Sequence, residues 1–205
     1  MAHVPGPARR RRDRRRVGLA LAGALLASCG SGSGTHADAP PAPIGPSARF
    51  RPPARDAAVR AGADLGGLRC TPSRAARVGV HVELFADGDV VVVPAGIGLG
   101  GRTRRDGAYV RGGRCSYPIR THEPTGLLEV DPHQRLHVRD LAVIWRRPID
   151  RTALAGFRGR VRAWIDGEPW RGDPGDVPLR RHANVVVVLG RPVAVHARYV
   201  FPPGF

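Results

Sequence analysis

Lysine is absent from the 205 residues, so all 33 basic side chains are arginine. Lys is missing even where it would serve as well as Arg, which fits a coding bias toward GC-rich codons. Acidic residues are half as frequent, 17 in all, and the formal net charge is +16. Aromatics make up 5% and hydrophobic residues 42%, enough for one core of modest size, and the length fits a single domain. No apolar run reaches the ~18 residues of a membrane-spanning helix, which excludes a polytopic membrane protein. The 27 glycines show no period of three, which excludes collagen. With 20 prolines they form about a quarter of the chain, high for one compact unit.

The N-terminus reads as an export signal. Arg9 to Arg12 and Arg14 to Arg16 precede the apolar residues 17–28, a stretch with the length of a signal-peptide core. Its end, Leu26-Ala27-Ser28-Cys29, resembles a bacterial lipobox, with Ser28 a tolerated variant of the Gly or Ala usual before the cysteine. The Gly/Ser run at residues 30–34 supplies a flexible spacer for a tethered domain. The expectation is therefore a lipoprotein signal peptide over 1–28 and lipidation at Cys29. An ordinary signal peptide with an incidental cysteine is the alternative. No Ser or Thr precedes the paired arginines and no Phe-Leu follows them, so the choice between general and twin-arginine export stays open.

Removing residues 1–28, with seven Arg and one Asp, leaves 26 Arg against 16 acids, a net charge of +10. A basic exported protein meets anionic lipid headgroups and cell-wall polymers rather than nucleic acid. The expected location is the extracytoplasmic face of a bacterial cell membrane, reached through the lipid on Cys29.

Residues 29–67 are rich in Ala, Pro and Gly, with Phe50 the only aromatic, and read as a disordered tether. Residues 68–205 read as a single, mainly β domain. Residues 78–85 alternate, Asp87-Gly88 signals a two-residue turn, and residues 90–93 are apolar. The same pattern returns in Val161–Ile165, Asp166-Gly167 and Glu168–Trp170. Asn184–Leu189 is a run of β-branched residues that fits a strand buried on both faces, and Leu127–Val130 is a shorter strand. The single expected helix is Val138–Trp145, with Leu141, Ile144 and Trp145 on one face and Pro148 as its stop.

Residues 100–114 hold five arginines and no apolar period, which predicts an exposed basic loop. Arg102, Arg104, Arg105, Arg111, Arg114 and the nearby Arg120 are the candidate contacts to an anionic partner. Gly96-Ile-Gly98-Leu-Gly-Gly101 matches the dinucleotide-binding spacing, but no helix period follows it, so the glycines read as a loop. Cys70 and Cys115 are expected to pair, as two cysteines of an exported domain usually do. The serines lie in no nucleophile-elbow pattern, and no catalytic residue is assigned. His81, His122, Glu123, Glu129 and Asp131 are candidate ligands of a divalent metal, with Glu129 and Asp131 expected on one side of a strand. The competing reading makes them polar residues of a half-exposed sheet.

Several stretches resemble an uncharacterised family of exported bacterial and archaeal proteins. They include His81-Val-Glu-Leu-Phe-Ala-Asp-Gly88, Cys115-Ser-Tyr-Pro-Ile-Arg-Thr-His-Glu123, Thr125-Gly-Leu-Leu-Glu-Val-Asp131 and Gly172-Asp-Pro-Gly-Asp-Val-Pro-Leu179. Relatives carry a histidine-rich first strand and a His-Thr-His-Asp stretch, which implies a metal site in the family. This chain departs from that pattern, with Arg120 in place of the first His of the stretch and Glu129 where His is usual. Two functions follow: a non-enzymatic surface module that binds an anionic partner, or a metal-binding protein or metal-dependent enzyme with a partly degenerate site.

Overall fold

The computed structural model describes residues 63–72 and 77–205. The expected signal peptide, Cys29 and residues 29–62 of the expected tether lie outside the described residues. Structure reaches into the end of the expected tether, because Asp64–Leu65 pairs antiparallel with Leu68–Arg69 and the Tyr117 hydroxyl donates to the Ala63 carbonyl at 2.5 Å.

Among the described residues, the central sheet has seven strands: Val78–Ala86 (β1), Asp89–Val90 (β2), Ile119–Arg120 (β3), Leu127–Val130 (β4), Val161–Ile165 (β5), Glu168–Trp170 (β6) and Asn184–Leu189 (β7). Their order is β6-β5-β7-β1-β4-β3, with β2 folded back on β1. The β7–β1 pair is parallel and the others are antiparallel. The protein is mainly β, as its composition and turn signals predict. Both expected hairpins form. Asp87 and Gly88 take φ of 51° and 89°, and Asp166 and Gly167 take 54° and 86°. Positive φ at both central residues gives the tight turn whose twist matches its flanking strands.

One helix, Val138–Trp145 (α1), packs on the sheet. It starts where the Asp140 carboxylate accepts the His137 backbone N–H at 2.7 Å. That bond satisfies a donor the first turn leaves open. It ends at Arg146, in the left-handed region at φ 60°, two residues ahead of Pro148. The ring of Pro148 disfavours helical dihedrals at Arg147, so the chain has already turned out when it reaches the proline. Leu141, Ile144 and Trp145 are buried against Val80, Val82, Leu84, Leu128 and Val185 in the main core.

The other face of the sheet is buried too. Phe85, Val186 and Val188 pack with Trp164, Val193 and Val195. The cover is the chain after β7, which we call the strap (residues 191–205). Gly79 admits it: a Cβ there would lie 2.8 Å from Phe201 and 3.0 Å from Phe205. With cover on both sides, every residue of β1 and β7 is buried.

Two local features add to the expected picture. The basic segment is exposed, but Thr103–Asp106 and Tyr109–Gly112 pair antiparallel, so it is a hairpin rather than an irregular loop. Arginine's aliphatic stem tolerates a strand, and Gly107, at φ 57°, opens the two-residue turn Gly107-Ala108 between the paired Asp106 and Tyr109. Secondly, β4 stops at Val130. Asp131 accepts the His133 N–H at 3.0 Å and the Gln134 amide at 3.1 Å, so its carboxylate caps the turn that follows.

The disulfide between Cys70 and Cys115 forms, closing a separation of 45 residues. The glycine-rich segment 96–101 is a turn that runs into the short strand Leu99–Gly100, paired with Cys115–Ser116. Gly96, Gly98 and Gly101 have φ of 91°, 71° and 90°, and a Cβ on Gly98 would strike the Ile119 carbonyl. Those needs account for the glycines without a nucleotide.

Candidate functional site

Three groups of polar residues stand out, and each follows from the register of the sheet. The first lies beneath the strap. Alternation along β1 turns Gly79, His81, Glu83 and Phe85 to that face, and the parallel register sets Asn184 beside His81. His81, Glu83 and Asn184 are 2%, 5% and 1% exposed. His81 Nδ1 lies 2.7 Å from Asn184 Oδ1, and its Nε2 lies 3.1 Å from the Thr125 carbonyl. Asn184 Nδ2 donates to the His196 carbonyl at 2.7 Å and to Glu83 Oε1 at 3.4 Å. His196 Nδ1 reaches Glu83 Oε2 at 2.7 Å, and Tyr199 stacks on His81 with ring centroids 3.7 Å apart. Burial pushes His81 below the ordinary imidazole range, opposed by the Asn184 bond, the Glu83 carboxylate and the Thr125 carbonyl, and helped by His196. Every member is tied to another, so this row closes the sheet to the strap, with the His196 side chain at its solvent-exposed end.

The second group lines a recess of about 300 Å³ at the β4–β3 edge, walled by Tyr109, Leu127, Pro202, Pro203 and Phe205 and holding His122, Glu123 and Glu129. His122 Nδ1 donates to the Val110 carbonyl at 2.6 Å, which turns Nε2 toward Glu129 Oε1 at 3.5 Å. The imidazole stacks on Tyr109 at 5.1 Å. Desolvation, then the Glu129 charge, raises the Tyr109 hydroxyl above its usual range. The register pairs Glu129 with Arg120, and the guanidinium takes Glu129 Oε2 through Nε at 2.6 Å and Nη2 at 2.5 Å.

The candidate ligands are thus divided. His122, Glu123 and Glu129 share the recess, His81 belongs to the buried row, and Asp131 serves its turn. Among the described residues, no three His, Cys, Asp or Glu side chains form a group able to hold a metal ion.

The third group is the basic hairpin. Arg102, Arg104, Arg105, Arg111 and Arg114 are exposed. Arg104 and Arg111 are direct cross-strand partners. Arg111 lies 5.2 Å over the Tyr109 ring and 3.9 Å from Asp106. Arg120, grouped with them by sequence, instead spends its charge on Glu129.

Glu83, Asn184, His196 and Tyr199 escape the sequence reading. The signal for Glu83 is present, since a carboxylate two residues after His81 on an alternating strand shares its face. Asn184, His196 and Tyr199 depend on a parallel pairing and a strap that no local pattern announces.

Among the described residues, no helix is long and apolar enough to cross a membrane. No family model, curated protein or solved structure matches the chain.

Proposed function

We propose that this protein is a lipid-anchored, extracytoplasmic binding module that engages anionic lipid headgroups or wall polymers through the hairpin at residues 103–112. The observation that carries this reading is the placement of Arg104 directly opposite Arg111. Like charges facing each other across an antiparallel pair destabilise it. A bound anion between the two guanidinium forks removes that repulsion and gains charge-assisted hydrogen bonds. The resemblance to exported proteins and the lipobox-like Cys29 supply the setting, since a tethered domain samples the membrane surface at high effective concentration.

The test is co-sedimentation of the full chain with vesicles containing phosphatidylglycerol, compared with phosphatidylcholine alone. The double variant Arg104→Gln/Arg111→Gln loses two surface charges worth about 1 kcal/mol each near an anionic membrane, roughly 30-fold in affinity. Equal binding by the two chains contradicts the proposal. Fractionation tests the anchor: Cys29→Ser moves the protein out of the membrane fraction, and unchanged fractionation counts against lipidation.

A further inference from the structure

The sheet edge opposite the His122 recess carries a second recess of about 300 Å³, lined among others by Arg151, Arg160, Arg162, Arg171 and Trp170. Sequence and register create it. The last pairing of β6 with β5 is Trp170 with Ala163, so Val161 and Arg162 run past the end of the edge strand. The chain then turns at Arg171-Gly172, beside the exposed flank of β5.

The Trp170 indole is fixed, its Nε1 donating to the Asp173 carbonyl at 2.9 Å. The carboxylates that follow are already engaged. Asp173 accepts the Gly175 N–H at 2.8 Å and faces Arg151 Nε at 3.5 Å, and Asp176 pairs with Arg139. Arg162 donates to the Gly190 carbonyl at 3.2 Å and lies over Trp164. Among the described residues, no hydrogen bond or ion pair engages the guanidinium groups of Arg160 and Arg171, and no carboxylate lines the recess.

We propose that this recess is a binding site for a phosphoryl group carried on a small organic moiety. Arg160 and Arg171 supply planar forks that match phosphate oxygens, while Arg151 at the rim is held by Asp173. The held indole offers an apolar wall for the carbon part of the ligand, and the volume lies at the lower end of small-ligand clefts. The site is independent of the basic hairpin, which belongs to a separate two-stranded pair.

Isothermal titration of the full chain with glycerol 3-phosphate at low ionic strength tests it. The expected result is saturable, single-site binding that weakens tenfold or more in Arg160→Gln/Arg171→Gln and stays within twofold in Arg104→Gln/Arg111→Gln. Equal losses in both double variants, or no saturation, would overturn the proposal, since either means diffuse attraction to a basic surface. Should the double variant fail to fold, Arg171→Lys keeps the charge and removes the fork; a severalfold loss supports the site and unchanged affinity overturns it. Displacement of glycerol 3-phosphate by phosphatidylglycerol vesicles identifies a lipid headgroup as the source, and retention identifies a free phosphate ester.

Discussion

Glu83 sits almost without water between two histidines and an asparagine, and its neighbours set how the protein responds to acid. The value for His81 lies below the ordinary imidazole value of 6.5, mainly through burial, so the unfolded chain binds a proton more readily than the folded one. Stability is then full above about pH 6.5 and falls as pH drops through that value toward the lower folded one. Urea unfolding from pH 7.5 to 5 is expected to show this fall, with a shallower slope in His81→Gln. A slope of the same steepness in the variant would assign the effect to other groups. The same scale decides the metal question. His122 and Glu129 face each other, but Arg120 holds the second oxygen of Glu129, and a guanidinium beside a carboxylate repels a divalent ion. A tight site takes three or four matched ligands with partners behind them. Zn²⁺ is therefore expected to bind no tighter than about 1 μM. A stoichiometric nanomolar site by isothermal titration, abolished in His122→Ala, would restore the metal reading.

At the scale of elements, legibility divides by how local the cause is. The two hairpins and α1 were readable because Asp-Gly turns and a 3.6-residue apolar period are written within a dozen residues. The pairing of β7 with β1 joins segments about a hundred residues apart, and nothing local specifies it. The strap was unreadable for a related reason: a Pro-containing segment without helix or strand looks like any surface tail. Its packing shows instead at Gly79, the one position on that face of β1 with no side chain, where Phe201 and Phe205 rest. Gly79→Val is expected to cost about 1–3 kcal/mol, as overpacking does. It should also quicken proteolysis within residues 191–205. Full stability and unchanged cleavage in that variant would show that the strap does not depend on this contact.

For the whole molecule, the disulfide and the charge act together. Cys70 and Cys115 join the entry segment to the end of the basic hairpin, closing a 45-residue separation in a chain that carries excess positive charge. The closed loop is worth roughly 4 kcal/mol in the chain-entropy account. Cys70→Ala/Cys115→Ala is expected to lose about that much in urea unfolding, and mass spectrometry of the non-reduced protein should find no free thiol at either position. The pairing was legible because the candidates are few. The division of labour among the arginines was not: Arg120 and Arg139 neutralise carboxylates, whereas Arg104 faces Arg111, and only three-dimensional register separates these uses.

The central claim, that the hairpin's charge binds an anionic surface, is tested most directly by salt. Binding to phosphatidylglycerol vesicles would be measured for the full chain and for Arg104→Gln/Arg111→Gln from about 0.01 to 1 M salt, over which the screening length falls from about 30 to 3 Å. The account predicts a wide gap in affinity between the two chains at low salt that closes as salt rises. Equal affinities at low salt, or a gap that persists at 1 M, would contradict it.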